Sequence, residues 1–253
     1  MHRGAVGSGP ADWSHGALVP ARLEALTDPE RAALATHFSE MGLVEHASIA
    51  AFARFSLELV ALGASAALVQ DAALAMLDEI RHAELAFALA SAYAGRALGP
   101  GPLSGDGAVT NADLESVLRT VLLEGCIGEA TAAAEAQALA RTTEDETVRQ
   151  ALEGIAGDEA RHAALAYRFV AWALARDPGR AARVVRSVLA AELDKSGVRH
   201  RAPNPDEAAN TAALKLGIAT DDFRQALRAE AIEQVAVPCL EALLASQRGR
   251  VAA

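Results

Sequence analysis

The chain is poor in aromatic residues and in cysteine. Only 4% of its 253 residues are aromatic, and it has two cysteines, Cys126 and Cys239. A disulfide-stabilised scaffold needs more cysteines in a shorter chain, so we expect two reduced thiols in a cytoplasmic protein. Alanine and leucine are abundant instead, with glutamate and arginine. Such a composition suits closely packed helices better than β-sheets.

The sequence also lacks an excess of basic residues and any long uncharged apolar run. Acidic residues outnumber basic ones by 33 to 23, for a formal net charge of −10. Without a basic stripe, we expect no nucleic-acid partner. Charges interrupt every stretch of about 18 apolar residues, so we expect no membrane span. No signal-peptide pattern is visible in residues 1–20.

Capping residues and breakers predict three regions: an irregular segment at 1–27, four long helices within 28–177, and a helical extension at 178–253. The four helices are expected at 29–63, after Asp28 and Pro29; at 65–95, capped by Ser65; from Thr110 or Asn111 to 141; and from Thr142 or Thr143 to 177. Two more are expected at 179–195 and 221–247, the last one kinked at Pro238. The segment 95–107 separates the two halves, and 196–210 is expected to be a loop.

A short motif occurs twice. DEIRH at 78–82 returns as DEARH at 158–162, and each copy follows a glutamate in an apolar stretch, Glu45 and Glu124. The separation from this glutamate to the motif glutamate is 34 residues in the first half and 35 in the second. The repeat predicts two related helix hairpins, which together form a four-helix bundle.

The motif residues interrupt apolar helix faces. Positions seven apart share a face, and this spacing places Glu45 in line with Phe38 and Phe52. An unpaired buried carboxylate is costly, and several together repel one another, whereas two divalent cations neutralise four glutamates. The sequence therefore predicts two metal ions bound by six residues: Glu45, Glu79, His82, Glu124, Glu159 and His162. Oxygen-rich ligation with one histidine per ion favours iron or manganese over zinc.

The aspartate and arginine of each motif are predicted to support the ligands. Ligating histidines usually donate their second N–H to a carboxylate. We expect Asp78 to hold His162 and Asp158 to hold His82 across the bundle. Arg81 and Arg161 can pair with those aspartates.

The sequence leaves the roles of four nearby residues open. Glu129, five residues after Glu124, is either solvent-exposed or an extra acid near the pocket. His46, next to Glu45, either supports the site, hydrogen-bonds another helix or binds a metal. Gly125 and Gly128 are unusual inside a helix, since glycine costs about 1 kcal/mol there. They indicate close helix packing or space beside the metals, with a local helix distortion.

The pattern E…ExxH…E…ExxH resembles the ferritin-like superfamily of di-iron carboxylate proteins over about residues 29–176. The superfamily includes ferritins, rubrerythrins, ribonucleotide reductase small subunits, acyl-carrier-protein desaturases, bacterial multicomponent monooxygenases and arylamine N-oxygenases. The doubled DExRH form is most similar to the oxygen-activating members, and the surrounding sequence to bacterial ferritin-like proteins without an assigned reaction. The resemblance implies an all-α, ferritin-like four-helix bundle, here with additional C-terminal helices.

The chain departs from each subfamily. Gly128 stands where several hydroxylases have threonine, and Ile155 where arylamine oxygenases have an extra histidine. Tyr93 and Tyr167 are not spaced as the ribonucleotide reductase tyrosine would be, and no CxxC module of the rubrerythrin type is present.

The resemblance implies a non-haem di-iron oxidase or oxygenase, with iron–manganese or two manganese ions as alternatives to two irons. Its expected partners are dioxygen, a small organic substrate in an apolar pocket and an external electron donor, with a homodimer as the expected assembly. A ferroxidase or iron-storage protein, a scaffold with a structural metal pair and a tRNA-modifying hydroxylase remain alternatives. The acidic charge argues against the last.

Overall fold

The computed structural model describes residues 6–7, 13, 18–104, 113–195 and 212–251. The described chain is all-α apart from one short antiparallel pair, β1 (Val6–Gly7) with β2 (Gly99–Pro100). Its long helices pack against one another in antiparallel fashion. Among the described helices, none is long and apolar enough to cross a membrane.

The first two long helices form a hairpin. Helix α1 (Asp28–Leu62) begins with a capping box between Thr27 and Glu30, so its N-cap lies one residue before the predicted Asp28. Helix α2 (Ala66–Ala94) is capped by Ser65, as predicted. Gly63 ends α1 with φ 66°, a left-handed conformation that glycine adopts without steric cost.

The third predicted helix consists of three consecutive segments. Helix α3 (Leu114–Thr120) is followed directly by a π-helix, π1 (Val121–Glu129), and by α4 (Ala130–Thr142). Asp113 caps α3 through the amides of Glu115 and Ser116. The predicted caps Thr110 and Asn111 lie outside the described residues.

Helix α5 (Glu146–Arg176) completes the set of long helices. Its N-cap is Asp145, which accepts hydrogen bonds from the amides of Thr147 and Val148. The predicted caps Thr142 and Thr143 are therefore wrong by two or three residues, because α4 runs through Thr142 and the chain then turns before α5.

The C-terminal region is helical and packs on the long helices. It comprises α6 (Pro178–Lys195), α7 (Ala212–Lys215), α8 (Asp221–Ala231), a second π-helix π2 (Ile232–Ala236) and α9 (Val237–Val251). The distortion expected at Pro238 is π2, which ends just before it, because proline lacks the N–H that a regular helix needs. The predicted loop 196–210 lies outside the described residues.

Two large apolar clusters fill the interior. One contains Phe52, Phe55 and Phe169, and the other contains Phe38, Phe87 and Phe223. Burial of each such side chain contributes about 1.5–3 kcal/mol. Because Phe52 and Phe38 lie seven residues to either side of Glu45, this buried glutamate lies between the two clusters.

Candidate metal centre

Six charged or ionisable side chains from four helical segments meet inside the protein. They form two overlapping groups: Glu45, Glu79, His82 and Glu159; and Glu79, Glu129, Glu159 and His162. Within each group, the candidate ligand atoms all lie within 4.8 Å of one another. All six residues are buried except Glu129, which is partly buried.

Glu79 and Glu159 belong to both groups, and each group also has one histidine and one glutamate of its own. The histidine atom that faces the carboxylates is Nδ1 in both cases. His162 Nδ1 lies 3.1 Å from Glu79 Oε1, and His82 Nδ1 lies 3.3 Å from Glu159 Oε1. Each group offers three carboxylates and one imidazole, a donor set that could hold a divalent metal ion.

Unpartnered polar atoms concentrate in this cluster. Six buried side-chain atoms among the described residues have no hydrogen-bond partner, and five of them belong to Glu79, His82, Glu159 and His162. Buried polar groups are normally hydrogen-bonded, and an unsatisfied one costs about 1–3 kcal/mol. Divalent cations would give these lone pairs a partner, so the residues present fit a pair of metal ions.

The pKa values show how strongly the cluster is coupled. Burial would lower the pKa of His82, but the neighbouring carboxylates of Glu159 and Glu79 outweigh it and raise the pKa to about 11. The same balance raises the pKa of His162 to about 10. Burial and the charges of the other carboxylates raise the pKa values of Glu45 and Glu129 well above the usual range. The cluster therefore holds protons that bound cations would displace.

The motif aspartates contact the far nitrogen of each histidine. Asp158 Oδ2 lies 3.0 Å from His82 Nε2, and Asp78 Oδ2 lies 3.2 Å from His162 Nε2. Each contact crosses between α2 and α5. It orients the imidazole so that Nδ1 faces the carboxylates.

The motif arginines link the two aspartates. Arg81 forms an ion pair with Asp78 and lies 3.6 Å from Asp158. Arg161 forms an ion pair with Asp158 and lies 3.6 Å from Asp78. The four residues thus form a closed network outside the histidines.

The structure differs from the sequence prediction at Glu124. Its side chain is 50% exposed and lies 3.3 Å from Arg54 on α1. It is not a member of either group of candidate ligands, and Glu129 takes the predicted position. The structure therefore does not bring Glu124 together with the other five predicted ligands.

The π-helix π1 explains why Glu129, and not Glu124, lies in the cluster. The prediction assumed the spacing of a regular helix. In a π-helix the hydrogen bonds join residues five apart, so the residues that follow face a different direction. Glu129 ends π1, five residues after Glu124. Ala136, seven positions after Glu129 along the regular helix α4, is buried. This spacing was the signal in the sequence that could have identified Glu129.

Gly125 lets π1 approach α5 closely. A Cβ atom at Gly125 would lie 2.6 Å from the Cβ of Ala166, so any larger residue would push the two segments apart. Gly128 differs, because an added Cβ would meet only the carbonyl oxygen of Leu123 at 3.3 Å. Of the two interpretations that the sequence left open, Gly125 fits close helix packing, whereas Gly128 lies in the wall of a cavity beside Glu129 and His162.

A cleft runs between α1 on one side and π1 and α4 on the other. The cleft contains two cavities that share the wall residues Val44, Glu45, Ala132 and Glu159. The first cavity, which we call the apolar arm, has a volume of about 270 Å³ and includes Phe52, Phe55, Val121 and Gly128 in its walls. Its walls also include Glu129 and His162, as well as Arg54, which forms ion pairs with Glu58 and Glu124.

The second cavity, which we call the charged arm, has a volume of about 440 Å³. It includes Glu40, Glu135, Asp221 and Arg224 in its walls and reaches Glu45 and Glu159. The carboxylates of the candidate centre are thus approached from two sides by cavities of different character.

His46 does not join the cluster. Its ring makes an edge contact with Trp13, with ring centroids 5.2 Å apart, and its Nδ1 has no hydrogen-bond partner. The buried Cys126 lies in π1, while Cys239 is exposed on α9. Neither cysteine is among the candidate ligands.

Comparison with known protein families, with curated proteins and with solved structures found no match to this chain.

Proposed function

We propose that the protein is a non-haem dinuclear iron or iron–manganese oxidase or oxygenase, built on a ferritin-like four-helix bundle. The observation that carries this proposal is the pair of overlapping ligand groups, which share Glu79 and Glu159 and lie against an apolar cavity. A structural metal pair would not need such a cavity. The fold assignment rests on the same ligand pattern and on the long antiparallel helices.

In this proposal, the six clustered residues hold two metal ions, which supply redox chemistry toward dioxygen. An oxygenase inserts one oxygen atom into its substrate and reduces the other to water, using two electrons and two protons from an external donor. An oxidase takes its electrons from the substrate itself. The cavity holds the substrate, and its apolar walls exclude water from the reaction.

The residues around the ligands have separate tasks. Asp78 and Asp158 fix the orientation of both imidazoles, because each accepts from an Nε2–H. Phe52 lies edge-on to His162, with ring centroids 5.1 Å apart, and forms part of the cavity wall. Together they keep the ligands and the substrate at fixed positions relative to one another.

The substrate class follows from the apolar arm. A volume of about 270 Å³ limits the substrate to a small molecule, and two phenylalanines in the wall favour an apolar or aromatic one. Arg54, Glu58 and Glu124 also line this cavity, so a polar group of the substrate can be accommodated beside them.

The test is anaerobic loading with ferrous iron followed by rapid mixing with oxygenated buffer. We expect about two irons per chain, a transient visible absorption band and consumption of dioxygen, and the variant Glu45→Gln should show neither band nor uptake. A protein that binds two irons yet does not react with dioxygen would overturn the proposal.

A ferroxidase is the second candidate, and the charged arm favours it because it connects acidic surface residues with the ligands. The same experiment distinguishes the two. Oxidation of many irons per chain into a mineral would support the ferroxidase, whereas turnover that stops at about two irons without an organic substrate would support the oxygenase.

A further inference from the structure

The backbone hydrogen-bond pattern changes at the end of π1. The amide of Ala130, the first residue after π1, donates to the carbonyl of Ile127, three residues back. In a regular α-helix this amide would donate to the carbonyl of Cys126, four residues back. Cys126 is fully buried, and a buried carbonyl at such a change of pattern needs a donor from elsewhere.

That donor is the side chain of Tyr167 on α5. Its hydroxyl donates to the carbonyl oxygen of Cys126 over 3.0 Å. The bond joins residues 41 positions apart, so it links two elements of the core and belongs to the helix ladder of neither. Burial raises the pKa of Tyr167, which therefore keeps its donor proton at neutral pH.

Both elements joined by this bond carry members of the second group of candidate ligands. Glu129 is the last residue of π1, three positions after Cys126. Glu159 and His162 precede Tyr167 on α5. The bond therefore fixes one candidate ligand relative to two others.

A packing contact at the adjacent position supports the same alignment. Gly125 precedes Cys126 in π1, Ala166 precedes Tyr167 on α5, and a Cβ atom at Gly125 would lie 2.6 Å from the Cβ of Ala166. Because Gly125 has no side chain, π1 comes close enough for the tyrosine hydroxyl to reach the backbone. Two consecutive residues of π1 thus meet two consecutive residues of α5, one pair through packing and the other through a hydrogen bond.

A hydroxyl bond within the helix has a different effect. Thr131 Oγ1 donates to the carbonyl oxygen of Ile127 at 2.7 Å, four residues back. Threonine often makes this bond in helices, and both partners turn together when the segment turns. A donor on another element, as Tyr167 is, fixes how π1 is rotated relative to α5.

We propose that Tyr167 is a positioning residue, whose hydroxyl stabilises the π-helical backbone at Cys126 and thereby holds Glu129 against the buried cluster. Without the hydroxyl, the regular pattern is favoured, in which the amide of Ala130 donates to the carbonyl of Cys126. That change would turn Glu129 away from the other candidate ligands. The proposal rests on the proposed function where metal binding is used to test it.

The test removes one tyrosine hydroxyl at a time. Tyr167→Phe deletes the donor and keeps the ring. Tyr93→Phe is the matched control, because Tyr93 is the other tyrosine of the chain and stacks on Phe38. Stepwise titration of the metal-free protein with Co²⁺, followed by the absorption of the bound cobalt, measures each ion. We expect Tyr167→Phe to weaken one ion about 10- to 100-fold and to leave the other within about threefold, with no change in Tyr93→Phe.

Combination with a ligand variant shows whether Tyr167 acts through Glu129. In Glu129→Gln protein, the additional change Tyr167→Phe should alter the cobalt affinity by less than about twofold, because the carboxylate that it positions is already gone. Equal weakening of both ions, the same loss in Tyr93→Phe, no loss in Tyr167→Phe, or a full further loss in the double variant would overturn the proposal.

A crystal structure of metal-free Tyr167→Phe tests the proposal without metal. We expect the carboxylate of Glu129 to leave the group in which the candidate ligand atoms lie within 4.8 Å of one another. An unchanged π1 with Glu129 still in that group would contradict the assigned role. A wild-type protein that does not bind two Co²⁺ per chain contradicts the proposed function instead, and this crystal structure then decides the role of Tyr167 by itself.

Discussion

In the first half of the long-helix core, Glu45 lies on the regular helix α1, 34 residues before Glu79. In the second half, Glu129 lies at the end of a π-helix, 30 residues before Glu159. The two halves share the DExRH motif but deliver their other carboxylate by different backbone geometries. The repeat therefore identifies equivalent residues in the two motif helices, but it does not identify the equivalent glutamates in the two helices that precede them.

The asymmetry has a structural consequence. If the second half also had a regular helix here, its residues would occupy the same positions as their counterparts on α1. Instead, π1 packs Gly125 against Ala166 and leaves Gly128 in the wall of the apolar arm. The cavity lies on this irregular side of the core. π-helical segments are frequent at functional sites, and the location of this one agrees with that tendency.

The largest expected effect on metal affinity comes from neutralising a clustered glutamate, with Glu124 as the matched control. Glu129→Gln and Glu45→Gln should each weaken metal binding by more than about 100-fold, beyond the range found for residues outside the ligand sphere. Glu124→Gln should leave affinity within about threefold. Equilibrium titration with Co²⁺ measures all three. Loss of binding in Glu124→Gln with retention in Glu129→Gln would restore the symmetric interpretation of the repeat.

Variants of Asp78 and Asp158 test whether the two halves support their histidines equally. Asp78→Asn and Asp158→Asn each remove the charge that one imidazole contacts. We expect both to lower metal affinity by about 10- to 100-fold, and to a similar extent. A large effect in only one of them would show that the halves differ in this layer as well.

The pH dependence of metal binding tests the proton content of each half. The pKa values of His82 and His162 are raised to about 11 and about 10, so both imidazoles hold a proton at pH 7 in the metal-free protein. A metal ion needs the neutral imidazole, so binding releases protons and the affinity rises with pH. We expect a gain of about tenfold per pH unit for each proton displaced.

Calorimetry in two buffers of different ionisation enthalpy counts those protons. Release of at least one proton per bound ion between pH 6 and pH 8 agrees with the clustered geometry. Affinity that is constant over this range would contradict it.

Glycine substitutions test the close approach of π1 to α5. Alanine is favoured over glycine in a helix by about 1 kcal/mol, but overpacking a filled interior costs about 1–3 kcal/mol. Gly125→Ala should therefore lower the free energy of unfolding by about 1 kcal/mol and also weaken metal binding. The matched control is Gly154→Ala on α5, where an added Cβ meets nothing within 4 Å. Denaturant unfolding should show stabilisation of the control, and the same gain in Gly125→Ala would contradict the packing argument.

The smallest expected effect concerns the ion pair across the cleft. Arg54 and Glu124 are partly exposed, and such pairs contribute about 0–1 kcal/mol. Glu124→Gln should change the free energy of unfolding by less than about 1 kcal/mol, measured by denaturant unfolding. A larger loss would assign Glu124 a structural role that its exposure does not suggest.

Local sequence signals predicted the first hairpin well. Ser65 and Gly95 bound α2 as expected, and α1 ends at the predicted Gly63, because these caps act through neighbouring backbone groups. Five of the six predicted ligands meet in the interior, since motif residues on regular helices keep the spacing from which they were inferred.

The exchange of Glu124 for Glu129 could not be predicted in the same way. The register of π1 depends on its packing against α5, which joins residues far apart in the chain. The sequence pointed to a distortion near Gly125 and Gly128 and to an extra acid at Glu129, but it did not combine the two. The division of the cleft into two arms was also beyond the sequence, because Asp221 and Arg224 belong to the C-terminal extension.

The most direct measurement is a crystal structure of the protein grown with Mn²⁺, with anomalous diffraction to locate the ions. The account predicts two peaks about 3.5–4 Å apart, one coordinated by Glu45 and His82, the other by Glu129 and His162, with Glu79 and Glu159 between them. A single peak, or a peak coordinated by Glu124 in place of Glu129, would contradict it.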